Sequence, residues 1–537
     1  MKKIGSLFIK IVLVGAIVLL GLDVWNNYTS RSDHGSSVLT TQYGAFLAAQ
    51  HAVYINDFDT AAQYSNILDE KDIAAVSNIK MLSGFLSGQM PENASELKKE
   101  SGTPARLIYD AYLVNNDDWE EMYSRHKNDK SALAAPLRVW SSVAVNHKTE
   151  VLKFIDSLET SDSWKSFVRG QIYAENGDVS KAADEFSKVR PNFMNINDYL
   201  YVMSFYRHNG LTELEDTLYE AFTMQPGGMF MAGFDNIPDW SEYSGLKNAL
   251  AFSLIQNVSH TQVMMYSDLS VLLLRFAQMV GQGSSGENDA ITYYLGQYFF
   301  SNSGDYEAYF SKIKPSSPYY PFAMLRMAEG KQDILRLHKV LRAYPTFVPA
   351  ISKLVSYYIS HGDKRSALKI MNRALDNESL SDENHAFFLK GRARIYFAFG
   401  DMVRAQSDIR AASDVLEIDA EILALQAKIW AAENREIDTA YEYAMTLVKR
   451  NPSDVFAWDV LGRVVAAREG DDAALELIER VGEVAKECSS LFENLGDLYM
   501  RAGNNKMAVD AYLRAIELSD DGLVVVPQIR QKLRNVK

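Results

Sequence analysis

Cysteine is almost missing from this sequence: Cys488 is the single one in 537 residues. No internal disulfide can form, and neither a CxxC pair nor a Cys/His cluster is present to hold zinc or run thioredoxin-like chemistry. Proline is scarce at 13, which favours long helical stretches, because proline breaks a helix interior. Cations are outnumbered, with 55 Lys and Arg against 69 Asp and Glu and a net charge of −14. A nucleic-acid binder needs cations to displace counterions from phosphates, so DNA and RNA are not expected partners. No segment alternates polar and apolar residues in the manner of a sheet, and an all-α chain is expected.

Signatures of chemistry are also wanting. The nine histidines are scattered, no two at i and i+4 and none in an HExxH pattern, so no zinc-hydrolase ligand set is present. Walker A and GxSxG patterns are missing. Gly281-Gln282-Gly283-Ser284-Ser285-Gly286 fits GxGxxG, but the run before it reads as helix, whereas a dinucleotide site needs a strand there. No catalytic residue, cofactor or metal is therefore expected, and an enzyme would have to hide its carboxylates in the weakly patterned 190–350 region.

What is present begins at the N-terminus. Lys2 and Lys3 precede a largely apolar stretch from Ile4 to Leu22, 19 residues long, with Lys10 its only charge. That length is about enough to cross the hydrocarbon core at roughly 1.5 Å per residue. The region after it, from Asp23 to Tyr28, lacks an A-x-A-like cleavage site, which favours an uncleaved signal anchor over a removed signal peptide. Lys10 can snorkel towards Lys2 and Lys3. The far flank has Arg31 but no cationic cluster, so the N-terminus is expected in the cytoplasm and everything after Trp25 outside it.

The C-terminal third repeats itself. Trp458, Leu461, Gly462, Val465, Ala474 and Ile478 align without gaps with Phe492, Leu495, Gly496, Tyr499, Ala508 and Tyr512, at a spacing of 34. One step of 35 back lie Ala427, Trp430, Ala440 and Ala444; a further 34 back lie Ala393, Tyr396, Ala405 and Ile409. Val355, Tyr358, Gly362, Ala367 and Met371 precede those. Gly400-Asp401, Gly470-Asp471 and Gly503-Asn504 are turn signals between helices. The pattern resembles the tetratricopeptide repeat, W-x2-L-G-x2-Y followed by Ala, an aromatic and Ala. The resemblance implies paired antiparallel helices that cross at small residues and stack into a right-handed superhelical solenoid.

Upstream the pattern thins. Gly170, Tyr173, Ala182 and Phe186 make a good unit, and Ala49, Ala52, Asp57, Ala61 and Leu68 make another. The expected organisation is 1–37 for cytoplasmic stub, transmembrane helix and linker; 38–226 for N-terminal repeats; 227–345 for degenerate repeats with a joint; 346–519 for the clear array; and 520–537 for a capping helix.

Two surfaces stand out as candidates. Counting from the repeat's small residue, Arg394, Lys428 and Arg463 share one position, and Lys390 lies one turn before Arg394. With Asp497 they form the candidate partner site. A basic stripe could receive a carboxylate-rich peptide, or it could pair internally with Asp459, Glu421, Glu493 or Asp497. It resembles the family's carboxylate clamp, but Arg394 stands where the clamp's Asn is expected. The second surface is 293–322, with eleven Tyr and Phe, either core or an exposed strip for a glycan or peptide. Met229, Phe230 and Met231 are likewise either a folded-back loop or a contact patch.

The expected function is a membrane-anchored, non-catalytic scaffold that holds a protein partner in its groove. The alternative is a glycan- or polymer-binding part of an envelope machine. Homo-oligomer formation is left open.

Overall fold

The computed structural model describes residues 42–68, 74–100, 102–131, 133–225, 227–260, 268–281, 288–302, 304–331, 333–416 and 419–536. The expected membrane helix lies outside these residues, as do 282–287 of the glycine-rich motif. Among the described residues no helix is long and apolar enough to cross a membrane. Every regular element there is helical, as the periodicity requires.

In chain order the helices are α1 (Gln42–Tyr54), α2 (Phe58–Asn66), α3 (Ala74–Leu86), α4 (Thr103–Asn115), α5 (Trp119–His126), α6 (Ala135–Ala144), α7 (Lys148–Ser157), α8 (Asp162–Glu175), α9 (Val179–Ser187), α10 (Ile196–His208) and α11 (Thr212–Thr223). There follow α12 (Leu246–His260), α13 (Asp268–Val280), α14 (Asp289–Ser301), α15 (Glu307–Phe310), α16 (Tyr320–Lys331), α17 (Ile334–Ala343), α18 (Val348–Ser360) and α19 (Lys364–Leu375). The last nine are α20 (Asp382–Ala398), α21 (Met402–Ser413), α22 (Ala420–Glu433), α23 (Ile437–Arg450), α24 (Val455–Glu469), α25 (Asp471–Val484), α26 (Ser489–Arg501), α27 (Asn505–Glu517) and α28 (Val526–Asn535).

The chain divides into two compact units. One comprises the described residues up to 161 together with 168–178 and 241–309; the other comprises 162–167, 179–240 and 310–537.

The first unit is tied by contacts far apart in sequence. The Trp140 indole N–H donates to Ser253 Oγ at 2.8 Å, and the Tyr298 hydroxyl donates to Asn56 Oδ1 at 3.0 Å. Phe58 meets Phe299 edge-on at 5.7 Å. Tyr294, Tyr298 and Phe299 are buried, so this half of the aromatic run is core. Burial of large rings supplies cohesion that the thin repeat pattern there does not announce.

In the second unit the aromatic run is core as well. Phe310 and Tyr319 are buried, and Phe322 packs on Phe230 at 5.0 Å and Phe347 at 5.1 Å. Met229, Phe230 and Met231 are buried too, and Thr346 Oγ1 donates to the Met229 carbonyl at 3.0 Å. They are a loop folded onto the stack.

The array runs from α18 to α27. Helices pair as α18/α19, α20/α21, α22/α23, α24/α25 and α26/α27, and the first helices of neighbouring pairs also touch. Ala393, Ala405, Ala427, Ala440, Ala474 and Ala508 are all fully buried at these crossings. Tyr396, Trp430 and Trp458 pack against the cores from partly buried positions, and Tyr499 is buried. Glycine at the crossing makes room for the bulky residue of its own partner helix. A Cβ on Gly462 would lie 2.4 Å from Ile478 Cγ2, and one on Gly496 would lie 2.5 Å from the Tyr512 ring.

Candidate functional site

The basic stripe lies on first helices α20, α22 and α24, as the spacing predicts. Its charges, however, are largely spent inside the array. Lys390 Nζ meets Asp419 at 3.0 Å and Glu421 at 3.2 Å, both at the start of the next first helix. Lys428 Nζ meets Asp459 at 3.1 Å and donates to Ser490 Oγ at 3.0 Å. Arg463 Nε donates to Asp459 at 3.0 Å, and its Nη2 donates to the Ser490 carbonyl at 2.9 Å. Asp497 is occupied by Lys532 of α28 at 2.7 Å and by the Tyr512 hydroxyl at 2.7 Å. Of the two arrangements open to these residues in the sequence, internal pairing is the observed one.

Asp459 is the centre of this ladder. It is fully buried, and its two oxygens also accept from Ser490 Oγ at 2.6 Å and Asn494 Nδ2 at 3.2 Å. Burial alone would raise its pKa, but Arg463 and Lys428 outweigh that and hold the carboxyl at about 2. Burial lowers the Lys428 pKa, against the pull of Asp459. The rings of Phe397 and Phe456 stand 5.5 and 5.0 Å from the ammonium, closing it off from solvent. Sequence reasoning named Asp459 among the partners but missed Ser490 and Asn494, because polar residues on a first helix carry no local mark of pairing across two repeats.

Arg394 differs from its neighbours. Among the described residues its one ion pair, with Glu421, is long at 3.8 Å, and its Nε is buried without an acceptor. It lines a pocket of 370 Å³ together with Phe397, Glu421, Lys428, Phe456 and Leu523. The walls are mostly apolar, with a guanidinium at one side. Such a pocket suits an apolar group that brings a hydrogen-bond acceptor. Among the described residues, no group of three or more His, Cys, Asp or Glu is placed to hold a metal ion.

Comparison with known proteins bears on the last pair of helices. A sequence model of the tetratricopeptide repeat matches residues 489–521, which span α26 and α27. This segment is similar to the tetratricopeptide repeat. The match falls at the end of the C-terminal array, where helices pair and cross at small residues.

Several solved structures are similar in fold. A tetratricopeptide repeat protein from Parabacteroides merdae is 15% identical, with a TM-score of 0.33, over 45% of this chain and 91% of that one. The Cut9–Hcn1 hetero-tetramer of the APC/C is 13% identical, with a TM-score of 0.30, over 93% and 97%. Yeast Tom70 is 11% identical, with a TM-score of 0.25, over 92% and 95%. No curated protein matches the chain.

Proposed function

We propose that this protein is a membrane-anchored scaffold whose C-terminal array holds a segment of a protein partner, and that it performs no catalysis of its own. Tetratricopeptide repeats serve protein–protein interaction. The observation that carries the reading is the 370 Å³ pocket on first helices α20 and α22, where Arg394 keeps a buried, unpartnered Nε beside Phe397 and Phe456. The anchor rests on Lys2, Lys3 and the apolar run from Ile4 to Leu22, which orient the repeats outside the cytoplasm, facing the periplasm of a bacterial inner membrane. The polymer-binding alternative loses its main support, since five of the eleven rings it would use are buried, the other six are partly buried and none is exposed.

The test is cross-linking in the membrane followed by mass spectrometry on wild type, Ala398→Trp and Arg394→Glu. Ala398 lines the pocket from a half-buried position, so a Trp there fills space without removing a tie between repeats. A protein captured by wild type and lost in both variants, with melting unchanged, supports the reading. Identical capture by all three chains rejects the pocket as the binding site.

A further inference from the structure

Beyond the last repeat the chain doubles back across the array. After α27, Ser519–Asp521 forms a short 3-10 turn, and the chain then runs to α28. Ser356 Oγ on α18, 165 positions earlier, donates to the Asp521 carbonyl at 3.2 Å. Gly522 has φ +69, and a Cβ there would sit 2.4 Å from Ser356 Cα. Only glycine satisfies both demands.

The same turn holds the other end of the array. The Asp521 carboxylate accepts from the Ser489 backbone N–H at 2.7 Å and from the Ser489 hydroxyl, at the start of α26. It also accepts from Leu523 N–H at 2.9 Å. One short segment therefore touches the first and the last helix pair of the array. Gly522 and Leu523 then form part of the wall of the pocket. Val524 and Ile529 are buried in the core beyond them, whereas Asp520 and Asp521 are exposed. The segment is anchored at one end and held by hydrogen bonds at the other.

We propose that Ser519–Leu523 is a latch over the pocket, and that a partner reaches the pocket by displacing it. The proposal rests on the pocket being the binding site. The latch also states what chemistry displaces it: a carboxylate for the Ser489 N–H and hydroxyl, a small residue against Ser356, then an aliphatic side chain. That order is Asp521-Gly522-Leu523 in the chain itself. An acidic–small–aliphatic segment of a partner competes on the same terms, because the charge-assisted bonds it forms replace those it breaks.

The probe is anilinonaphthalene sulfonate, an aromatic anion matched to the apolar walls and Arg394, titrated into the full chain. Asp521→Ala, which removes the carboxylate bonds to Ser489 and Leu523, should raise dye affinity roughly tenfold or more, and Gly522→Ala, which forces a methyl against Ser356, should raise it in the same direction. Adding Ala398→Trp should cancel the gain, with circular dichroism unchanged. A synthetic peptide of residues 519–526 should bring dye binding by the Asp521→Ala chain back down. The latch is overturned if both variants bind dye like wild type, or if the gain survives Ala398→Trp. The recognition half is overturned if the peptide has no effect at millimolar concentration. Should Gly522→Ala lose helicity, Ser489→Ala, which deletes only a hydroxyl, carries the test with the same outcomes. Because the dye is no protein, failure to capture a partner and failure of the latch are separate results.

Discussion

At the scale of the residue, Asp459 decides more than any other side chain in the array. Among the described residues it is the only carboxylate within bonding distance of both Lys428 and Arg463. Asp459→Ala therefore leaves two cations facing each other around a buried gap, and should cost about 3–5 kcal/mol. Urea denaturation followed by tryptophan fluorescence measures it; a loss below about 1 kcal/mol would show the ladder to be idle. The pH dependence has a definite sign. The folded carboxyl sits at about 2, below its ordinary 3.8, so its contribution is complete above pH 4 and disappears as pH falls from 4 to 2. The denaturation midpoint should fall across that window in wild type and fall less in Asp459→Ala. Gly462 makes the steric counterpart. Gly462→Ala pushes a methyl into Ile478 and should cost about 1–3 kcal/mol, more for Trp. Much of this was legible beforehand. The small residues at the crossings follow from a 34-residue spacing, and Lys428, Arg463 and Asp459 were visibly on one side. What sequence alone left open was whether the cations face solvent or each other's repeats. That depends on packing depth, which spacing does not encode.

At the scale of the element, turns were the most readable feature, because each has a local chemical cause. Gly400 and Gly503 take positive φ, and the next residue caps the following helix: Asp401 accepts from Arg404 N–H and Asn504 from Met507 N–H. Where the repeat carries one extra residue, Asn434 takes the left-handed position instead. The capping helix α28 was readable from Pro527, but not the way it is fixed. Ile529 is fully buried in the core of the last repeats, while Lys532 bridges Glu493 and Asp497 from a one-third-exposed position. Ile529→Ala should therefore cost about 2–5 kcal/mol, and Lys532→Ala only about 0–1 kcal/mol. Thermal melts of the two variants rank them. The reverse order would mean that the cap is held by charge. Residues 519–525 ahead of the cap carry no helical or repeat signal, and their seat on α18 is a contact across 165 positions. Nothing local in a sequence specifies such a partner.

At the scale of the whole molecule, the proposed anchor predicts that the array lies outside the cytoplasm, and the chain offers a clean way to test it. Cys488 is its single cysteine. It is buried, and burial pushes its thiol up to about 12. At neutral pH almost no thiolate exists there, and a maleimide finds neither access nor a nucleophile. The native chain should therefore be silent to thiol reagents, so that no cysteine need be removed. Val484, at the end of α25, is 77% exposed, so Val484→Cys adds a single reactive reporter in the array without touching its core. If Lys2 and Lys3 stay in the cytoplasm and the run to Leu22 spans the bilayer, an impermeant maleimide should label this chain in intact spheroplasts as fully as in lysed ones. Wild type should stay unlabelled in both. Alkaline extraction of the same cells should leave the chain in the membrane pellet, whereas a chain lacking residues 1–25 should be soluble. Labelling only after lysis would place the array in the cytoplasm. The partner would then have to be sought there, while the pocket, its latch and the Asp459 ladder would be unaffected, since each is argued from contacts inside the array alone.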